Sequence, residues 1–346
     1  MRPENRQWSK PEEPALPYSS ESRKKKMEKA QKKTDIGSFA MRYAVVIALV
    51  VMCIVLAILN NRFLTKANIT SIIKQISIQS IVAIGTTMII ITGNIDLSVG
   101  SIVAFGGVSV GMMLKAGVPI PVAIILAVLA CGCLGIVSGG VTAKLKLHSF
   151  LVTLALMEAF RGIAQTMVNG LPVSGFPDSF GKIASLSLGP VPVLVLYMII
   201  LYAIFSYMMK YTAFGRSIYA VGGNQESARL SGINIEKVKT LTFVLSSCLC
   251  GLAGVLLTAK LRSGDPTAGN GWEMDTIAGA IIGGTNMSGG EGNLVGTIIG
   301  LLFIGVLDDG MVLLGVSAYM QSVVKGLVIF VAVILNSLQK RSSSNA

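Results

Sequence analysis

The chain has 346 residues, 52% of them hydrophobic and only 13% charged, with a formal net charge of +12. An average soluble domain carries about 25% charged residues, and here residues 1–42 alone hold 11 Lys/Arg and 6 Asp/Glu. What remains cannot surface a water-soluble domain, so the composition excludes a soluble enzyme, a disordered regulator and a disulfide-rich secreted module, and points to a polytopic membrane protein.

In chain order, residues 1–42 read as a disordered basic cytoplasmic tail. Four prolines fall among the first seventeen residues, and Arg23-Lys24-Lys25-Lys26 with Lys29, Lys32 and Lys33 suits lipid headgroups and the cytoplasm. The tail lacks the apolar core and cleavage site of a signal peptide. Without a recognition motif its charge does not argue for nucleic acid. A spanning helix needs about 20 apolar residues, which places spans near 43–59, 76–92, 101–114, 118–141, 150–168, 191–208, 241–259, 294–307 and 319–335. A glycine-rich stretch at 276–284 adds a further, broken crossing. The transmembrane region is thus 43–337, with a long polar loop at 210–239 and a short cytoplasmic tail at 338–346.

With the N-terminus inside, 20 basic residues fall on inside segments and seven on outside ones, while Arg161 and Lys325 lie within spans. The positive-inside rule then puts both termini in the cytoplasm and requires an even number of spans. The expected fold is an all-α integral membrane protein with about ten transmembrane helices, some broken or re-entrant, in two repeated halves. The repeat rests on residues 93–102 set against 289–298. Gly93 and Gly100 match Gly289 and Gly296, each pair seven residues apart and followed by Ser/Thr-Ile. Glycine-interrupted segments at matching places point to a duplicated transporter with helix breaks near its pathway.

Few polar groups stand inside the apolar runs. Asp96 is placed to cap the helix beginning near Leu97 or to meet a polar solute. Glu158 and Arg161, three residues apart, share a helix face and can pair or line a wet cavity. Asp308 and Asp309 end an apolar run and are expected at a water boundary. Cys53, Cys131, Cys133, Cys248 and Cys250 lie in apolar runs with neither zinc nor disulfide spacing. The lone histidine, His148, makes neither a metal site nor a triad. Residues 175–182 resemble a phosphate-binding loop only superficially, because five residues separate the glycines and Ile183 stands where Ser/Thr is required. Chemistry is therefore not expected of this chain.

The loop at 210–239 carries the clearest soluble signal. Asn224 is a good N-cap, Glu226 suits a first helical turn and Gly232 a stop, which predicts a helix of about two turns in the cytoplasm. A short helix fixed between two spans is a lever for a partner to grip.

Glu226-Ser227-Ala228 followed by Gly232 resembles the coupling segment of ABC importer permeases, the EAA loop, with Ser227 where the pattern usually has alanine. Residues 93–100 resemble the glycine–isoleucine–aspartate–leucine–serine–valine–glycine signature of ribose-type sugar permeases, with Asn94 replacing the more usual glycine. Asp265-Pro266-Thr267-Ala268-Gly269, Trp272-Glu273-Met274-Asp275, Gly283-Gly284-Thr285, Gly289-Gly290, Leu314-Gly315-Val316-Ser317 and Gln321 fit the same family in order. The resemblance implies a permease for ribose or a related monosaccharide in the bacterial inner membrane. It implies a homodimer in lipid, a separate ABC ATPase subunit that uses ATP and Mg, and an extracytoplasmic sugar-binding protein. This chain would bind no cofactor and catalyse no reaction. Asn224, Glu226, Ser227, Ala228, Arg229, Leu230 and Gly232 are the expected ATPase-coupling residues. Asn94, Asp96, Ser98, Glu158 and Arg161 are the translocation-pathway candidates, and Gly93, Gly100, Gly289 and Gly296 the helix-break glycines. Glu158 and Asp308-Asp309 depart from the ribose pattern. The alternative is an ion-coupled secondary transporter of a small polar solute, in which Asp96, Glu158 and Asp308 would be coupling carboxylates.

Overall fold

The computed structural model describes residues 45–344, with side chains described as far as residue 334. The basic tail of residues 1–42 lies outside the described residues. In chain order the helices are α1 (Val45–Leu59), α2 (Lys66–Ile91), α3 (Val99–Lys115), α4 (Ile120–Lys144), α5 (Ser149–Met167), α6 (Asp178–Ser185) and α7 (Val193–Tyr211). There follow α8 (Ala213–Gly223), α9 (Gln225–Leu230), α10 (Ile235–Leu261), α11 (Trp272–Ile282), α12 (Leu294–Leu313) and α13 (Ala318–Ser344). The strands described are the two-residue pair Ser187–Leu188 and Val191–Pro192.

Among the described residues six helices are long and apolar enough to cross a membrane: α2, α4, α5, α7, α10 and α12. α1, α3 and the Ala318–Ile334 part of α13 are shorter apolar helices. The 11 residues of α11 reach about 16 Å, roughly half of a 30 Å hydrocarbon layer. Two helices start well before their apolar runs. α2 is capped by Thr65, which accepts from the Asn68 amide at 3.4 Å, and so includes Lys66, Lys74 and Gln75. α10 is capped by Asn234, which accepts from the Lys237 amide at 2.9 Å, with Glu236 in the first turn. Cap chemistry, not hydropathy, sets these boundaries. The loop resembling a phosphate-binding site is instead the start of α6, where Asp178 pairs with Arg262 at 2.8 Å.

α10 is the centre of the bundle, packed on α2, α3 and α4. Lipid offers apolar side chains no gain from leaving water, so close backbone approach and van der Waals contact must hold helices together. Gly132, Gly135 and Gly139 form one stripe on α4. A Cβ on any of them would lie 2.6–2.9 Å from Cys248, Ser247, Phe243 or Thr240 of α10. In return, Gly251 of α10 receives Cys131 of α4. Hydroxyl pairs add to this elsewhere: Thr87 and Thr297 meet at 2.9 Å between α2 and α12, and Thr86 donates to Thr276 of α11 at 3.3 Å. All five cysteines are free thiols.

Candidate functional site

The polar loop after α7 folds into α8 and α9. Asn224 accepts from the Ser227 amide at 2.9 Å and starts α9. Gly232, at φ +81°, ends it: its amide donates to Arg229 O, and the Ile233 amide to Ala228 O at 3.1 Å. This paired closure with a left-handed residue is the Schellman arrangement. The predicted two-turn helix and both of its caps are therefore present. Ala228 faces inward and is buried, while Glu226, Ser227 and Arg229 are exposed and Leu230 is 87% exposed at the tip. α8 was not anticipated, because Gly215, Gly222 and Gly223 discourage a helix. The signal for it was the buried series Gly215, Ile218 and Val221, which keeps one face on the bundle.

The two glycine-containing breaks lie against this loop. α2 stops at Ile91, and Gly93 takes φ +75°. Asn94 donates to Thr92 O at 3.1 Å and to its hydroxyl at 2.9 Å. Asp96 Oδ1 accepts from the Ser98 amide at 2.8 Å and the Ser98 hydroxyl at 2.6 Å, forming the turn that leads into α3 at Val99. Asn94, Asp96 and Ser98 are all buried, and their hydrogen bonds build the break. From α5, Ser149 and Thr153 accept the amides of Ile95 and Leu97 at 2.9 and 3.1 Å. The second break, residues 283–293, ends where Asn293 accepts the Val295 and Gly296 amides. The breaks touch: the Gly290 amide donates to Ile91 O at 2.9 Å. Tyr219 of α8 joins them by donating to Gly292 O at 2.9 Å. Half-burial raises its phenol above the ordinary tyrosine value, so it remains a donor at neutral pH.

The four expected break glycines divide in two. Gly93 and Gly289 take positive φ, of 75° and 86°, and stand in the breaks, Gly93 at the end of α2 and Gly289 within the 283–293 segment, where Gly284, at φ 91°, is what closes α11. Gly100 and Gly296 do not; they lie in the first turns of α3 and α12 and permit close packing. Gly100 abuts Gly269 and the Glu273 carboxylate, and Gly296 abuts Gly283.

Glu158 and Arg161 share the α5 face but form no ion pair. Arg161 Nη1 instead donates to Ala268 O at 2.7 Å and Pro266 O at 3.1 Å. That ties α5 to the 265–269 turn, which Asp265 closes by accepting the Thr267 amide and hydroxyl at 2.7 Å. Glu158 is exposed. Asp308 and Asp309, expected at a water boundary, are both half-buried, and each has a partner. Asp308 of α12 pairs with Lys325 of α13 at 2.8 Å, and Lys325 lies 3.3 Å from Asp275 of α11, whose side chain is 8% exposed. Asp309 accepts from the Asn68 side chain at 2.8 Å. This charged triad was missed because its members are far apart in sequence; its one signal was a lone lysine in an apolar run.

A cavity of about 280 Å³ between α4, α7 and α10 is lined by Ile124, Tyr197, Leu201, Leu252 and Leu256 among others. It is apolar and offers little to sugar hydroxyls. Among the described residues no group of three or more His, Cys, Asp or Glu is arranged to hold a metal ion. The geometry is that of an exposed, doubly capped helix joined through α8 to two helix breaks.

A family model described as branched-chain amino acid transport system / permease component matches residues 68–333. The "Ribose import permease protein RbsC" of Haemophilus influenzae is 39% identical over 307 residues, covering 88% of this chain and 95% of that protein. The Bacillus subtilis protein of the same name is 39% identical over 309 residues, covering 88% and 96%. The "Xylose transport system permease protein XylH" of Escherichia coli is 34% identical over 348 residues, covering 82% and 88%. No solved structure matches significantly. With apolar helices throughout and a family match across nearly all of them, the chain belongs to the branched-chain amino acid transport system / permease component family.

Proposed function

We propose that this chain is the membrane-spanning permease subunit of a bacterial ATP-binding-cassette importer that brings a monosaccharide, ribose or a related sugar, into the cytoplasm. The observation that carries the reading is α9, a helix capped at both ends and tipped by a leucine 87% exposed. An exposed apolar tip ringed by Glu226 and Arg229 is shaped for insertion into a partner's groove, and its attachment to both helix breaks gives the partner something to move. The ribose and xylose permeases to which the chain is 34–39% identical favour a sugar over the amino acid in the family's description.

In this reading the chain crosses the membrane ten times, with α11 and the 283–293 segment as one broken crossing, and both termini are cytoplasmic. Two copies form the pore in the inner membrane. A separate ATPase supplies hydrolysis, using ATP and Mg, and an extracytoplasmic protein delivers the sugar. This chain performs no chemistry. The duplicated halves find support in α3 and α12, which start at Val99 and Leu294, and in Gly93 lying against Gly289. A solute biases such a cycle only through its different affinities for the states, so selection rests with the binding protein and the pore holds sugar weakly.

The test is the double variant Ala228→Glu/Gly232→Asp, made in the full chain and co-expressed with the ATPase. It places a charge at a buried position and a side chain at φ +81°. The expected result is loss of ATPase co-purification and of sugar uptake while the chain still inserts. Unchanged co-purification and uptake would overturn the coupling assignment. Uptake that continues without the ATPase but stops when ion gradients collapse would overturn the importer reading.

A further inference from the structure

The lever has a contact point that the coupling segment itself does not contain. α8 ends in Gly222-Gly223, immediately before α9. At Gly222 the helix backbone meets both breaks together. A Cβ added there would collide with the carbonyl of Ile91, at the end of α2, and would lie 2.5 Å from the Gly290 amide in the 283–293 segment. The arrangement is reciprocal, since a Cβ on Gly289 would lie 2.8 Å from the Gly93 amide and 2.9 Å from the Gly222 carbonyl. Real Cβ atoms do not approach other atoms so closely, so three backbone segments are in direct contact with no side chain between them. Two hydrogen bonds hold the junction: Gly290 N to Ile91 O, and Tyr219 OH to Gly292 O, both 2.9 Å.

We infer that Gly222, held in place by Tyr219, is the positioning point through which movement of α9 reaches both helix breaks together. The inference rests on the coupling reading of α9 and deepens it. In a simple lever, α9 would tilt only the two spans that flank the loop, α7 and α10. Here the first rigid contact N-terminal to α9 is with the breaks. A backbone-to-backbone contact has no rotatable side chain to absorb a displacement. A push on α9 therefore moves the 92–98 and 283–293 segments as one, although 196 residues separate Gly93 from Gly289. Gly222 and Tyr219 act by position.

The neighbouring glycine supplies a control. A Cβ on Gly223 meets nothing within 4 Å, whereas one on Gly222 wedges the junction. Both replacements raise helix propensity alike, so a difference between them reports the contact and not the stiffness of α8. The experiment compares wild type, Gly222→Ala, Gly223→Ala and Tyr219→Phe, each reconstituted in proteoliposomes with the ATPase and the binding protein. Three quantities are read: ATPase co-purification, ATP hydrolysis stimulated by the loaded binding protein, and sugar moved per ATP hydrolysed. The expected result for Gly222→Ala is normal co-purification and hydrolysis with sugar per ATP reduced at least tenfold. Gly223→Ala stays within twofold of wild type. Tyr219→Phe, which keeps the ring and removes only the hydroxyl, lowers the ratio about threefold.

Wild-type coupling in Gly222→Ala, or equal losses in Gly222→Ala and Gly223→Ala, overturns the inference. Should Gly222→Ala fail to insert, Tyr219→Phe decides, and an unchanged ratio there overturns it equally. The Ala228→Glu/Gly232→Asp variant separates the two levels. If it still captures the ATPase, the coupling reading has failed; if it loses the ATPase while Gly222→Ala couples normally, only the junction has failed.

Discussion

Lys325 is held between two carboxylates, 2.8 Å from Asp308 and 3.3 Å from Asp275. The three side chains sum to −1, so removing the lysine is not equivalent to removing an aspartate. Lys325→Met keeps the stem and leaves two carboxylates facing each other. At an effective dielectric constant of about 20, the 2.8 Å contact corresponds to ~6 kcal/mol of attraction, much of it offset by desolvation. Removing one partner of a buried pair costs about 3–5 kcal/mol net. The Lys325 and Asp308 side chains are 28% exposed, so screening favours the lower end, ~3 kcal/mol. Asp308→Asn leaves a balanced Lys325–Asp275 pair and should cost about 1 kcal/mol or less. The combination Lys325→Met/Asp308→Asn should be milder than Lys325→Met alone, because it removes the carboxylate repulsion. The assay is thermal unfolding of the purified chain in detergent. At about 2 °C per kcal/mol for a chain of this size, Lys325→Met should melt roughly 6 °C below wild type and Asp308→Asn within roughly 2 °C. Equal losses in the two single variants, or a Lys325→Met protein that melts with wild type, would refute the reasoning that the triad tethers α13 to α11 and α12.

Three further outcomes follow from the geometry. Leu230→Asp should reduce ATPase capture at least about tenfold, or ~1.4 kcal/mol, in a co-purification titration; its own melting temperature should not move, since the leucine is 87% exposed. Asn224→Ala removes the cap of a six-residue helix and should cost about 1 kcal/mol of α9 stability, seen as weaker ATPase binding that Asn224→Asp restores. Gly135→Leu should sharply reduce recovery of folded chain by size-exclusion chromatography, because its Cβ would lie 2.6 Å from Ser247 and overpacking costs about 1–3 kcal/mol. Gly140→Leu, on the same helix with nothing within 4 Å of its Cβ, should be recovered normally.

The residues differ in how far each could be read from sequence. Asn224 and Gly232 were legible because caps are local: a side-chain oxygen accepts an amide three residues away, and glycine takes positive φ without help. α8 was not, because its helicity comes from burying Ile218 and Val221 against the bundle, which outweighs three unfavourable glycines. The break at residues 92–98 was visible as a glycine-interrupted run. That Gly100 and Gly296 serve packing and not interruption depends on Gly269 and Gly283, which no local pattern brings near them. Arg161 shows the same limit. Its spacing from Glu158 allows a pair, but the carbonyls of the 265–269 turn, about a hundred residues away, take its hydrogen bonds.

The sequence by itself determined that this is a membrane protein, because under-charged apolar runs of the right length have no stable place in water. It also determined the handle, since α9 needs only its own caps to begin and end. Tertiary structure alone decided what the handle is attached to. Gly222, Ile91, Gly93, Gly289 and Gly290 come from three separate stretches of chain, and their contact exists because Gly222, Gly289 and Gly290 carry no side chain to hold the backbones apart. It also decided the Asp275–Lys325–Asp308 triad, because in an apolar medium a charge must find its partner wherever the fold offers one.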